Sequence, residues 1–102
     1  MQIRVYGNSM EPIIKNRSLI ELHPIKPSEV KVGDIVCFRD KGILRKLIGL
    51  RHVHRIISID KEKGSFTTKG ENRVTSGSYE IDVPINNIES KVILELEVAN
   101  LK

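Results

Sequence analysis

From His52 to Ile59 the chain alternates without a break: His52, His54, Ile56 and Ser58 fall on one side, Val53, Arg55, Ile57 and Ile59 on the other. A period of two is the spacing of a strand, whose successive side chains point to opposite faces. The pattern commits this stretch to a sheet and puts two histidines on one face of it. Other segments agree. Gln2–Tyr6 reads as a short strand ending at the turn pair Gly7-Asn8, Ser18–Leu22 as a second, and Asp34–Phe38 as a continuous apolar strand. Pro24–Gly33, with two prolines and interspersed lysines, reads as a loop, Lys61–Gly64 as a turn and Ser65–Lys69 as another short strand. Val92–Val98 closes the chain as a strand, with Glu95 and Glu97 on the face opposite Leu94 and Leu96. Many short strands divided by turns predict an all-β, mainly antiparallel domain, either a sheet or a partly open barrel.

Ile43–Arg51 breaks this rhythm. Its apolar residues at positions 43, 44, 47 and 48 fit helical spacing, with basic residues on the opposite side. Two readings follow: a surface helix making peripheral contact with anionic lipid, or a hairpin strand turned at Lys41-Gly42. The hairpin is the plainer reading.

At 102 residues the chain has room for one domain and one modest core. With 4% aromatic residues and no Trp, that core must be built from Ile, Val and Leu. The net charge of +4 permits an anionic partner. The bases are scattered, however, and nucleic-acid binding needs a coherent basic face with stacking aromatics or a reading helix. No nucleic-acid partner is expected. The single cysteine, Cys37, has no internal partner and no zinc-ligand spacing around it, and it reads as a small core residue in the run Ile35–Phe38. No metal or organic cofactor is implied. No segment approaches the ~20 apolar residues that cross a bilayer, and no basic-then-apolar leader opens the sequence. The expected location is cytoplasmic, or membrane-associated if the natural protein carries an anchor.

Ser9 is the candidate for chemistry. A serine hydroxyl is a weak nucleophile unless a base takes its proton, and it must sit on a sharp, fixed piece of backbone beside N–H groups that can hold an oxyanion. Gly7-Asn8-Ser9-Met10-Glu11-Pro12 is such a setting, since Gly7 permits unusual backbone angles and Pro12 stiffens the exit. His52 and His54 share one strand face, and on pattern alone either is an eligible base.

Four blocks, in order, resemble the type I signal peptidases. Gly7-Asn8-Ser9-Met10-Glu11-Pro12 looks like the family's nucleophile motif and Gly33-Asp34-Ile35-Val36-Cys37-Phe38 like its core strand. Val53-His54-Arg55-Ile56-Ile57 is similar to the general-base block. Thr68-Lys69-Gly70-Glu71-Asn72-Arg73, with Ser76, Val83-Pro84 and Ile88 behind it, resembles the last block and its tail. The resemblance implies the fold shared by signal peptidases and self-cleaving SOS-type repressors, a partly open β-barrel. It also implies a serine endopeptidase in which Ser9 attacks the scissile carbonyl, its own N–H helps hold the oxyanion, and His54 is the base. A histidine before Arg marks the archaeal and endoplasmic-reticulum form, whereas the bacterial form has lysine. His52 falls outside the motif. Its partner would be a peptide or precursor-protein substrate with small residues at the first and third positions before the cut.

The resemblance also has departures. Glu71 stands where the family usually has Asp, and either Glu71 or Asp82 is a candidate to orient His54. Ser76 matches the bacterial serine that hydrogen-bonds the base. The family's Gly-Asp pair after the nucleophile block is replaced here by Asn16-Arg17-Ser18. Two other readings remain: a self-cleaving repressor-like domain, and a degenerate peptidase fold kept for peptide binding or assembly. Only eight residues precede Ser9, which disfavours the first. Among the other residues, Met10 and Asp34 read as packing and turn-capping residues, Arg55 as the partner of a carboxylate or of solvent, and His23 as surface.

Overall fold

A computed structural model describes residues 1–42, 49, 51–72 and 79–93. The described residues form an all-β domain: β1 (Gln2–Arg4), β2 (Leu19–Pro24), β3 (Ile35–Arg39), β4 (Arg51–Asp60), β5 (Ser65–Lys69), β6 (Tyr79–Pro84) and β7 (Ile88–Val92). Single 3-10 turns at Pro27–Glu29 and Ile85–Asn87 interrupt the connections. The strands lie in one sheet in the order β1-β2-β7-β3-β4-β5-β6, and every pairing is antiparallel. β1 and β6 are its two edges, so the described strands form an open sheet.

β3 is central because its sequence has no polar side to show to water. Ile35 and Cys37 enter one core cluster with Met10, Ile14, Ile20, Leu22 and Val92, whereas Val36 and Phe38 enter another with Ile56, Phe66, Val83 and Ile88. An unbroken apolar run is what a strand buried on both faces requires. Fully burying Phe38 or Phe66 contributes on the order of 2–3 kcal/mol each, so these two clusters are the main source of stability in so small a chain.

The strands expected before residue 65 are present with shifted ends, and Ser65–Lys69 and the turn at residues 61–64 fall where the pattern put them. Two strands were not legible. β7 starts at Ile88 and reaches Val92, where the sequence suggested that a strand begins; the Leu94–Val98 part of that expectation lies outside the described residues. β6 hides its period because Asp82 takes a positive φ of 52° and the ladder slips between Phe66 and Thr68. Glu80 and Val83 both oppose buried residues of β5, an odd spacing that only a bulge allows. Most of the Ile43–Arg51 segment, the candidate surface helix or hairpin strand, lies outside the described residues.

Candidate active site

The register of the sheet assembles one side of the site. Val36 pairs with His54 and Phe38 with His52, while Ile56 pairs with Thr68 and Thr68 with Glu80. Cross-strand partners share a face. One face therefore carries Val36, Phe38, His52, His54, Ile56, Thr68 and Glu80. The Phe38 ring is the platform, 5.3 Å from the His52 ring and 6.5 Å from that of His54 between centroids.

The loop between β1 and β2 supplies the other side. Val5 N–H donates to Ser18 C=O (2.9 Å) and Arg17 N–H to Val5 C=O (2.6 Å), closing the loop base. Met10 and Ile14, each 2% exposed, anchor it to the core, and Gly7 N–H donates to Asn16 Oδ1 at 2.9 Å. Asn72 clamps it from the far end of the chain. Its backbone N–H donates to Ser9 C=O and its side-chain amide to Asn8 C=O, both at 2.8 Å. In the sequence Asn72 is one residue of a motif, and nothing in its context announces this grip.

The two halves meet at Ser9. Its Oγ lies 3.1 Å from His54 Nε2, joining groups 45 residues apart. His54 is 7% exposed, and burial pushes its pKa down to about 4, with the neighbouring His52 adding to the fall. A neutral imidazole accepting from Ser9 at Nε2 carries its proton on Nδ1, which is buried and has no hydrogen-bond partner among the described residues. No described backbone carbonyl takes up the Ser9 N–H. Ser9 and His54 open onto a cleft of about 380 Å³ to which β1 contributes Ile3 and β4 contributes Val53. Cys37 lines the same cleft, but burial pushes its thiol up to about 11, so it stays protonated at neutral pH.

No family model, curated protein or solved structure matches the chain.

The carboxylates go elsewhere than expected. Glu71 pairs with Arg55 Nε, and Arg55 also donates to Gly33 C=O at 2.7 Å. Arg55 thus takes a carboxylate partner, and that partner is Glu71, which is therefore not at His54. Asp82, on the β6 bulge, has a side chain 56% exposed and lies 3.9 Å from Lys63, so it does not orient His54 either. Ser76 lies outside the described residues. His52, in contrast, is tightly engaged. Its Nε2 is 2.6 Å from Asp40 Oδ1 and 3.7 Å from Glu80 Oε1. Neither Asp40 nor Glu80 was singled out in the sequence, because each gains meaning only through its distance to His52. Met10 is buried, His23 is exposed, and Asp34 Oδ2 accepts Lys31 N–H at 2.9 Å, as their sequence contexts suggested. Among the described residues no helix is long and apolar enough to cross a membrane.

Proposed function

We propose that this chain is a serine endopeptidase of the signal-peptidase type, working through Ser9 and His54, on the partly open barrel of that fold. The observation that carries the reading is the 3.1 Å contact between Ser9 Oγ and His54 Nε2, made by the serine and histidine of the two matching motifs. A buried, neutral imidazole in hydrogen-bond reach of a hydroxyl on a clamped turn is equipped to take its proton.

In the proposed reaction, Ser9 Oγ attacks the scissile carbonyl carbon while His54 Nε2 accepts the hydroxyl proton. The Ser9 N–H stands ready for the oxyanion of the tetrahedral intermediate. When that intermediate collapses, the C–N bond breaks and His54 returns the proton to the leaving amine. Water, deprotonated by His54, then attacks the acyl-serine ester and frees the new carboxylate. An extended peptide turns its first and third residues before the cut toward the same face. Small residues at both positions let the backbone settle into a cleft of about 380 Å³.

Cleavage of precursor peptides with alanine at those two positions tests the reading. Wild type is expected to cut, Ser9→Ala and His54→Ala to lose at least a thousandfold in kcat/KM, and His52→Ala to retain cutting. No cleavage by wild type, with or without anionic vesicles, would sink the proposal. A binding module is the second reading, favoured by one observation: His54 Nδ1 has no acceptor among the described residues. It requires Ser9→Ala to bind the same peptides as tightly as wild type while neither cuts them.

A further inference from the structure

Three side chains from separate parts of the sheet converge beside the Ser9–His54 pair. Asp40 follows the last residue of β3, His52 lies on β4 and Glu80 on β6, and one ligand atom from each lies within 4.8 Å of the other two. The geometry points to a site for a divalent transition ion of the zinc type, held by His52 Nε2, one Asp40 oxygen and one Glu80 oxygen.

The chemistry of the donors argues for it. An ionised carboxylate only accepts, so the 2.6 Å contact makes His52 Nε2 the donor to Asp40 Oδ1. That nitrogen has one proton to give, yet Glu80 Oε1 faces it as well, at 3.7 Å. Two carboxylates turned toward one imidazole nitrogen are what a cation at their centre uses. One imidazole and two carboxylates form a mixed nitrogen–oxygen set that suits zinc and its neighbours. At metal–ligand distances of about 2.0–2.2 Å, tetrahedral donors stand about 3.4 Å apart. The Asp40–His52 contact would open by about 0.8 Å and the Glu80–His52 contact close by about 0.3 Å, within reach of side-chain rotation. With the ion in place, His52 would carry its single proton on Nδ1 and present the Nε2 lone pair to the ion.

The surroundings hold the ligands in place. Asp40 is 3% exposed, and its second oxygen accepts Gly42 N–H at 2.7 Å. A Cβ at position 42 would fall 2.9 Å from that oxygen, so a larger residue there would push the carboxylate aside. Lys41 Nζ donates to Ile81 C=O, tying the segment that bears Asp40 to the strand that bears Glu80. Asn87 Nδ2 donates to Arg39 C=O at 3.0 Å and fixes the residue before Asp40. Phe38 packs under the His52 ring. Three protein ligands leave a fourth position open, and His52 borders the cleft that holds Ser9. Water, or a donor atom of a molecule in the cleft, would complete the coordination.

Tag-free chain, stripped with chelator, is titrated with Co²⁺ as a spectroscopic probe and with Zn²⁺ by calorimetry. One equivalent is expected to bind with a Kd in the micromolar range or below, with ligand-field bands of a four- or five-coordinate cobalt site and a rise in Tm on adding Zn²⁺. Glu80→Gln and His52→Ala are each expected to weaken binding at least tenfold, while His23→Ala, His54→Ala and Ser9→Ala leave it unchanged. Asp40 is buried, so Asp40→Asn is read only if circular dichroism shows it folded; the two other variants carry the test. Absence of stoichiometric binding overturns the proposal, and so does binding that survives both variants or disappears with His54→Ala. Because no peptide is present, this result stands apart from whether the chain cuts one.

Discussion

His54 is the residue whose environment most changes its chemistry. In water a histidine is half-protonated near pH 6.5. Here burial, then the charge of His52, brings it down to about 4. In chelator-treated protein, kcat/KM for peptide cleavage is therefore expected to complete its rise below pH 6 and stay flat through neutrality, checked by a pH–rate series. A rise centred on an ordinary histidine pKa would show that His54 is solvated in the working enzyme. The same displacement enters stability. The unfolded chain binds this proton below about pH 6.5 and the folded chain only below about 4. Stability is complete above the upper value and falls as pH drops between the two, by on the order of 3 kcal/mol; urea titrations of wild type and His54→Ala across that window measure it. Arg17 is a second local departure, with a φ of 69° in the left-handed region. Arg17→Gly is expected to add about 0.5–1 kcal/mol and raise Tm by several degrees in a thermal melt, because glycine adopts this φ without the Cβ clash.

Among the elements, the loop from Gly7 to Asn16 depends on contacts from outside itself. Two core anchors hold its middle and Asn72 holds Asn8 and Ser9. Asn72→Ala keeps the backbone bond to Ser9 but loses the amide bond to Asn8. We expect a stability cost of about 1 kcal/mol and a fall in kcat of about tenfold or more, since small misplacements of a nucleophile are costly. Steady-state kinetics beside a urea titration separates the two effects. Glu71→Gln tests the pairing with Arg55, both side chains being partly exposed. It should cost about 1 kcal/mol or less and leave the pH–rate profile unmoved, whereas an orienting carboxylate would shift it. Much at this scale was legible. The tight turn at Ser9 and the alternation at His52–Ile56 read directly from residue types, because both depend on neighbours in the chain; beyond Ile56 a bulge before Ser58 turns Ile59 onto the face of Ile56 and Phe66, against the even alternation of the sequence. The role of Asn72 and the strand β6 were not legible, since one acts on residues 64 positions away and the other conceals its period in a bulge at Asp82.

At the scale of the whole molecule, β3 divides the interior into two clusters, and Phe38 is one of the two phenylalanines that fill one of them. Phe38→Ala is expected to cost about 3–5 kcal/mol, a large share of the ~5–15 kcal/mol that holds a small domain together. It also removes the platform beneath both histidines. A much lower urea midpoint, with Phe38→Leu intermediate, would bear this out; a near-neutral Phe38→Ala would contradict it. By itself the sequence determined the strand class, the continuous apolar strand at Asp34–Phe38, the exposed turn carrying Ser9 and the placing of His52 and His54 on one face. These follow from local periodicity and turn chemistry. Periodicity left His52 and His54 equivalent and only the motif resemblance favoured His54; tertiary structure brings His54 to Ser9 and His52 to Asp40 and Glu80. It also decided that Glu71 goes to Arg55 and that Asp82 faces solvent. Alternation says which way a side chain points, but register and strand order say what it meets, and those are settled by contacts between residues far apart in the chain.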